Sequence, residues 1–201
     1  MKLFVEGGGD SDALKTECRR AFKKLLERAG IKGRLRVVPC GARRNAFEQF
    51  CTALGDSGPS DLVFLLVDAE ERVTKTSPWE HVAQRRGDAW LQPDGVGDDH
   101  LHLMVQCMET WLVADRPALR IFYGQGFQES ALPPVTAELE EVSKHDLYRK
   151  LEQATRSTKT KGAYGKGQHS FKLLATLDPS VIRKACPWAE RFFATLAQWL
   201  Q

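Results

Sequence analysis

The segment from Leu62 to Val67 is an uninterrupted run of apolar residues that is too short to be a buried helix. It predicts a buried strand. Two earlier segments, Leu3 to Val5 and Leu35 to Val38, also have strand character, and sequences with helical spacing follow both of them. Strands that alternate with helices through short joints form right-handed β-α-β units. The sequence therefore predicts an α/β fold with a mostly parallel sheet flanked by helices.

Apolar spacing, glycines and prolines divide the rest of the chain. We predict a first helix capped by Asp10, Ser11 or Asp12 and ended by Gly30, a second from Arg43 to Leu54, and a short one from Thr76-Ser77-Pro78 to Gln84. The third strand is predicted at Asp61 to Val67, a loop over the active edge within Arg72 to His100, and a strand running into a helix at Leu101 to Val113. Later helices are predicted at Thr136 to Gln153, Ser170 to Leu177 and Pro187 to Leu200. We expect an α/β domain at residues 1–120 and a helical, basic C-terminal extension at 121–201 packed on it, unless the two form one continuous domain.

A chain of 201 residues, of which 42% are hydrophobic, can bury a core, and its net charge of +3 does not by itself indicate a nucleic-acid-binding protein. Its cysteines are widely spaced without a C-x-x-C pair, which argues against a disulfide framework and a zinc knuckle. We expect no secretory leader at Met1-Lys2-Leu3, and no apolar stretch approaches the roughly 20 residues that cross a bilayer. These features predict a cytoplasmic protein without a membrane partner and leave its oligomeric state open.

Carboxylates follow two of the predicted strands at the point where each strand ends. Glu6 follows the first strand and precedes Gly7-Gly8-Gly9-Asp10, and Asp68 and Glu70 follow the third. The carboxyl ends of parallel strands meet at the edge where ligands bind, so these acids should converge, with Asp68 and Glu70 on one side of an extended strand end. Clustered carboxylates repel one another unless a cation joins them, and Mg²⁺ or Mn²⁺ is the usual cation of an all-oxygen site. The sequence therefore predicts such a site, beside glycines that let a phosphate approach the backbone and a helix N-terminus that attracts anions.

Other acids and histidines have more than one interpretation. Asp10 and Asp12 are either further metal ligands or helix-capping residues. Glu109 lies in a largely apolar stretch, so it either reaches the crevice or pairs with a basic group. His100 and His102 either form a second metal site, with zinc as the candidate ion, or are surface histidines of a polar loop.

Basic residues are concentrated in one segment, which contains Lys144, Arg149, Lys150, Arg156, Lys159, Lys161, Lys166 and Lys172 against Asp146 and Glu152. The stretch from Ser157 to Gly167 is flexible by composition and carries Tyr164, which could stack on a base. For any single lysine a solvated loop is the alternative. As a group they predict a nucleic-acid surface, with candidate contacts at Lys144, Lys159, Lys161, Lys166 and Lys172.

With Val5-Glu6-Gly7-Gly8-Gly9-Asp10 before a helix and Leu65-Leu66-Val67-Asp68-Ala69-Glu70 later, the first half of the chain resembles the toprim domains of topoisomerases, primases and overcoming-lysogenization-defect nucleases. In that superfamily a glutamate after the first strand and a D-x-D-like pair after the third hold catalytic Mg²⁺. The resemblance implies that Glu6 matches the glutamate and Asp68 the first aspartate. Glu70 stands where the second aspartate is common. A toprim/Rossmann-like sheet is implied as well.

A second resemblance covers nearly the whole chain. The run from Met104 to Asp115, with the later Lys166-x-x-His169, looks like an uncharacterised bacterial family of small proteins related to toprim and often found in mobile-element or phage-defence neighbourhoods. It brings no established activity, and it leaves open a protein partner from the same operon.

The leading hypothesis is a divalent-metal-dependent nuclease or related phosphoryl-transfer enzyme acting on DNA or RNA, with candidate catalytic residues Glu6, Asp68, Glu70, Glu109, Lys166 and His169. One alternative is a non-catalytic module with a toprim fold that binds a partner or regulates a bacterial defence or mobile-element system. Another is an enzyme acting on a small phosphorylated ligand, whose binding would depend less steeply on salt than binding of a polymer. An ion pair from Glu6 or Asp68 to an arginine would count against the enzyme.

Overall fold

A computed structural model describes residues 1–33, 35–56, 58 and 62–199. In these ranges the strands β1 (Lys2–Val5), β2 (Arg36–Pro39), β3 (Val63–Asp68) and β4 (Leu101–Met104) form a four-stranded sheet in the order β2-β1-β3-β4. Every neighbouring pair is parallel, and Phe4 of β1 lies beside Val38 of β2 and Leu65 of β3. The predicted α/β fold is therefore confirmed. Asp61, where the third strand was predicted to begin, lies outside the described residues.

Helices connect and follow the strands. They are α1 (Asp12–Arg28), α2 (Arg43–Gly55), α3 (Pro78–Gln84), α4 (Glu109–Ala114), α5 (Arg116–Tyr123), α6 (Lys144–Thr155), α7 (Ser170–Leu174), α8 (Pro179–Ala185) and α9 (Pro187–Trp199). Short 3-10 turns occur at Asp98–His100, Glu129–Ala131 and Leu139–Glu141. In the described part of the chain, each helix is too short or too polar to span a bilayer.

Alternate strand residues enter two apolar cores, one on each face of the sheet. Leu3 and Phe64 lie in the core shared with α1 and with α4 to α9, whereas Phe4 and Leu65 lie in the core shared with α2 and α3. Both faces of β3 are therefore covered, which explains why it is apolar along its length. The first core draws residues from both sides of position 120, and the division of the chain there stays a prediction.

The C-terminal half differs from the sequence prediction at its helix boundaries. The helix predicted from Thr136 begins only at Lys144, because the Ser143 hydroxyl accepts the Asp146 N–H at 3.1 Å and caps α6 there. Helices α5 and α8 were not predicted. Each follows an aspartate cap, Asp115 or Asp178, with a proline in the first turn, which is the signal that would have located them.

The last helix buries most of its predicted apolar stripe. Phe192, Phe193 and Leu196 are fully buried, but Trp199 is 43% exposed and its Nε1 donates to Asp99 Oδ2 at 3.1 Å. Trp199 is therefore at the edge of the core. Leu200 lies outside the described residues.

Two glycines join the loops that follow β1 and β2. Gly7 N donates to Gly41 O at 2.9 Å, and Gly41 N donates to Gly7 O at 2.8 Å. Gly41 has φ +74°, and a Cβ at this position would lie 2.7 Å from Gly9 O. Glycine tolerates both the positive φ and the close approach of Gly9 O because it has no Cβ. This contact fixes the segment after Glu6 against the start of α2.

We expect Gly41→Ala to lower the free energy of unfolding by about 1–2 kcal/mol or more, because alanine at positive φ is strained and its Cβ meets Gly9 O. Chemical denaturation measures the change. Gly55→Ala is the matched control, since Gly55 has ordinary helical backbone and open space around it. Equal stability of the two variants would contradict the role assigned to Gly41.

Candidate metal centre

Three carboxylates meet at the carboxyl edge of β1 and β3. One oxygen atom from each of Glu6, Asp68 and Glu70 lies within 4.8 Å of the other two. Within the described ranges, His, Cys, Asp and Glu side chains form no other such group of three or more, so His100 and His102 are not part of one. The predicted convergence is confirmed, and the cluster could hold a metal ion.

Glu6 is fixed by the backbone of the neighbouring strand. Its Oε2 accepts the Asp68 N–H at 3.0 Å and faces Arg43 Nη1 at 3.4 Å. Burial raises the pKa of Glu6, although Arg43 and the Asp68 N–H act in the opposite direction. Arg43 therefore offsets only part of the cost of burying this carboxylate.

Asp68 is the most buried acid of the cluster, at 4% exposure. Its Oδ1 accepts the Met108 N–H at 2.8 Å, and its Oδ2 lies 3.5 Å from Lys144 Nζ. Burial, followed by the charges of Glu6 and Glu109, raises the pKa of Asp68 to about 8. A buried carboxylate of this kind needs a proton or a further cation near neutral pH.

Glu70 reaches the cluster by a different geometry from the one predicted. It is not in extended backbone but at φ +69°, which is uncommon for a residue with a side chain. Its N–H donates to Gln106 O at 2.7 Å, and its Oε1 accepts from Lys144 Nζ at 2.6 Å. A left-handed turn, and not strand alternation, therefore brings Glu70 next to Asp68.

Arg43 supplies one internal cation. Its Nε and Nη2 donate to the Asp88 carboxylate at 2.8 and 2.6 Å, and its Nη1 donates to the Asp68 carbonyl oxygen. The contact to Glu6 is the longer one, so most of the guanidinium is engaged by Asp88, whose side chain is only 2% exposed. Arg43 was not named as a site residue from the sequence. Its position just after the second strand and Gly41-Ala42 could have indicated that it lies at the same edge of the sheet as the acids.

Lys144, predicted as a nucleic-acid contact, lies inside the acidic cluster. Its Nζ is 2.6 Å from Glu70 Oε1 and 3.5 Å from Asp68 Oδ2. Burial tends to lower the pKa of Lys144, but Asp68 and Glu70 outweigh it and the pKa is raised. Its backbone N–H donates to Gln106 Oε1 at 3.2 Å, so Gln106 positions both Lys144 and Glu70.

A cavity of about 350 Å³ opens beside the cluster. Its walls include the glycines 7–9, Asp68, Lys166 and Phe171, so it lies between the loop after β1 and the start of α7 with the segment that precedes it. Asp10 is exposed and lines the same cavity, but it is not in the group of three acids. The volume suits a small ligand or one unit of a larger one.

Glu109 is fully buried beneath this edge and pairs with a tyrosine instead of a basic residue. Its Oε1 accepts from the Tyr164 hydroxyl at 2.7 Å, and its Oε2 has no hydrogen-bond partner among the described residues. Burial and the charge of Glu109 raise the pKa of Tyr164 and of Tyr148. Glu109 also raises the pKa of Asp68, so it acts on the cluster by charge.

His169 lies behind the cavity wall at 3% exposure, and its Nδ1 accepts the Gly165 N–H at 3.2 Å. Burial and the nearby lysines lower the pKa of His169. Lys159, Lys161, Lys166 and Lys172 are exposed, and of these Lys166 lines the cavity. His102, in contrast, is buried against Phe192, and burial lowers its pKa to about 3.

We expect Asp68→Asn to be more stable than the parent in the absence of metal at pH 8, because the amide keeps an acceptor for the Met108 N–H without a buried charge. The pKa of Asp68 is raised from 3.8 to about 8 in the fold, so the folded state binds the proton more tightly and the parent loses stability as pH rises through this window. The loss is at most about 1.4 kcal/mol per pH unit. Urea unfolding in EDTA between pH 5 and 8 measures the difference. A parent at least as stable as the variant at pH 8 would contradict it.

We expect Lys144→Met to bind a divalent cation about tenfold more tightly, a change of about 1.4 kcal/mol, because the internal cation between Asp68 and Glu70 is removed. Calorimetric titration with Mn²⁺ measures the affinity. Lys172→Met removes an exposed lysine and is the control. Weaker binding by Lys144→Met would mean that the lysine holds the acids in place and does not compete with the metal.

A comparison with protein families gives one match, to a domain of unknown function named DUF4276, over residues 5–197. No toprim or nuclease family matches, so the toprim resemblance is not confirmed. Nothing matches among the curated proteins or among the solved structures. The chain therefore belongs to the DUF4276 family, whose function is unknown.

Proposed function

We propose that this protein is a divalent-metal-dependent phosphodiesterase that cuts nucleic acid. The observation that carries the proposal is the convergence of Glu6, Asp68 and Glu70 within 4.8 Å at the carboxyl edge of a parallel sheet. The donors are all oxygen atoms, which Mg²⁺ and Mn²⁺ prefer. Burial raises the pKa of Glu6 and of Asp68 more than Arg43 and Lys144 lower them, so a bound cation would stabilise both carboxylates further.

The residues of the site would have three roles, which are metal binding, phosphate binding and positioning. Glu6, Asp68 and Glu70 would hold Mg²⁺ or Mn²⁺, which when bound polarises a phosphate and lowers the pKa of a coordinated water. Lys166, which lines the cavity, would bind a phosphate oxygen, and the glycines 7–9 let the phosphate approach the backbone. Gln106 accepts hydrogen bonds from the backbone N–H groups of Lys144 and Glu70 and so holds the two residues next to each other. His169 accepts a hydrogen bond from the Gly165 N–H, next to Lys166 in the chain, so His169 would position the segment that carries Lys166.

A non-catalytic, partner-binding module is the second candidate, and the ion pairs of the site favour it. Arg43 faces Glu6 and Lys144 faces Asp68, as expected if internal cations alone satisfy these acids. Two facts favour the enzyme instead. Arg43 is held mainly by Asp88, and the pKa of Asp68 is raised despite Lys144.

The test is cleavage of labelled DNA and RNA, single- and double-stranded, with Mg²⁺ or Mn²⁺ and with EDTA. We expect metal-dependent cleavage that falls by about 100-fold or more in Glu6→Gln and in Asp68→Asn, because each removes a charged ligand. Glu27→Gln is the matched control, since Glu27 is half exposed on α1 and pairs with Lys23 at 3.8 Å, away from the site.

Both site variants cutting as fast as the parent would exclude the assigned mechanism. A parent without metal-dependent activity would instead favour the partner-binding module. Circular dichroism of each variant establishes that it is folded.

A further inference from the structure

A groove lined by arginines lies at the N-terminus of α2. We call it the arginine groove and define it by Arg43, Arg44, Phe47, Arg85, Asp88 and Trp90. Its volume is about 570 Å³. Arg43 is the residue through which the groove contacts the acids of the metal centre.

One buried carboxylate organises the groove. Asp88 accepts two hydrogen bonds from Arg43 and pairs with Arg85 Nη1 at 3.0 Å. Asp88 thus positions two guanidinium groups, while the side chain of Arg44, 84% exposed, pairs with Glu48, which also lines the groove. Three arginines therefore stand against two carboxylates in the groove. Arginines held in this way lose little further freedom when they bind a phosphate, and their planar donors match its oxygens.

Aromatic rings form the floor of the groove. The Arg43 guanidinium lies 4.7 Å from the Trp90 ring centroid, and Phe47 stacks on Trp90 at 4.3 Å with an angle of 4° between the rings. Trp90 is only 8% exposed, so its ring is covered by protein and does not offer a face to a base. The groove therefore fits phosphates of a nucleic-acid backbone better than bases.

Arg43 links the groove to the acids of the cluster. The guanidinium bonds to Asp88 in the groove and to the Asp68 carbonyl oxygen at the acids. Ala42 lines the cavity and the next residue, Arg43, lines the groove, so the two spaces adjoin at the start of α2. A strand whose phosphate lies at the acids would extend from the cavity into the groove.

We propose that the arginine groove binds the backbone of a nucleic-acid strand next to the phosphate at the metal centre, which makes the substrate a polymer and not a mononucleotide. The inference rests on the proposed function and adds the path of the strand to it. The cavity of about 350 Å³ suits a small ligand, whereas the arginines of the groove would meet phosphates only if the chain continues beyond the cavity.

The test compares the parent with Arg44→Gln, Arg85→Gln and the double variant. Binding of a fluorescent single-stranded oligonucleotide of about 20 nucleotides is measured by anisotropy over a range of salt concentrations, with Ca²⁺ in place of Mg²⁺. Binding of a mononucleotide is measured in parallel. Arg120→Gln is the matched control, because Arg120 is an exposed arginine paired with a glutamate outside the groove.

We expect the double variant to bind the oligonucleotide about tenfold more weakly at low salt. Its salt slope should be shallower by about 0.7 for each phosphate that the substituted arginines no longer neutralise. Its affinity for the mononucleotide should stay the same, so the ratio of the two affinities should fall by about the same factor as the affinity for the oligonucleotide. Arg120→Gln should bind like the parent.

A folded double variant that binds the oligonucleotide as tightly as the parent, with the same salt slope, would overturn the role proposed for the groove. The proposed function would still stand if the parent cuts nucleic acid. A parent that binds mononucleotide but not oligonucleotide overturns both the groove and the polymer substrate. These two failures are therefore distinguishable.

Discussion

Four segments of the protein are tied together at Asp68. Its N–H donates to Glu6 just after β1, its carbonyl oxygen accepts from Arg43 on α2, its Oδ1 accepts from Met108 before α4, and its Oδ2 faces Lys144 on α6. The side chain is nearly inaccessible to water, so these contacts act in an environment where charge is weakly screened. Glu6, Arg43 and Lys144 therefore all meet at this one residue, and Lys144 extends the contact to Glu70.

The same arrangement has an energetic cost. A buried aspartate near the charges of Glu6 and Glu109 is unfavourable when ionised, and burial with these charges raises its pKa to about 8. Binding sites commonly concentrate such like charges, because a ligand of opposite charge then gains from relieving the repulsion. Lys144 and Arg43 reduce the repulsion without removing it. This partial compensation links the stability of the fold to the chemistry proposed for its edge.

The acidic cluster borders the cavity and contacts the arginine groove through Arg43, and these two spaces differ in character. The cavity has a glycine wall and one lysine, whereas the arginine groove has guanidinium groups fixed by Asp88 above aromatic rings. A small ligand would occupy only the first, and a strand would contact both. The C-terminal lysines at 159, 161 and 172 are exposed, as the proposed contact with a polyanion requires.

The sequence by itself determined the sheet and the acids. The apolar run of β3, the glycines after Glu6 and the carboxylates after two strands are local signals, because strand burial and the parallel connection place strand ends at one edge. Only the tertiary structure decided which cations meet those acids. Lys144 lies 76 residues from Asp68 and Arg43 lies 37 from Glu6, and no local pattern records such contacts. The start of α6 at a Ser143 cap brings Lys144 to the cluster, and a left-handed backbone at Glu70 completes it. Packing of distant segments around Asp68 thus determined the electrostatics of a site whose acids were already visible in the sequence.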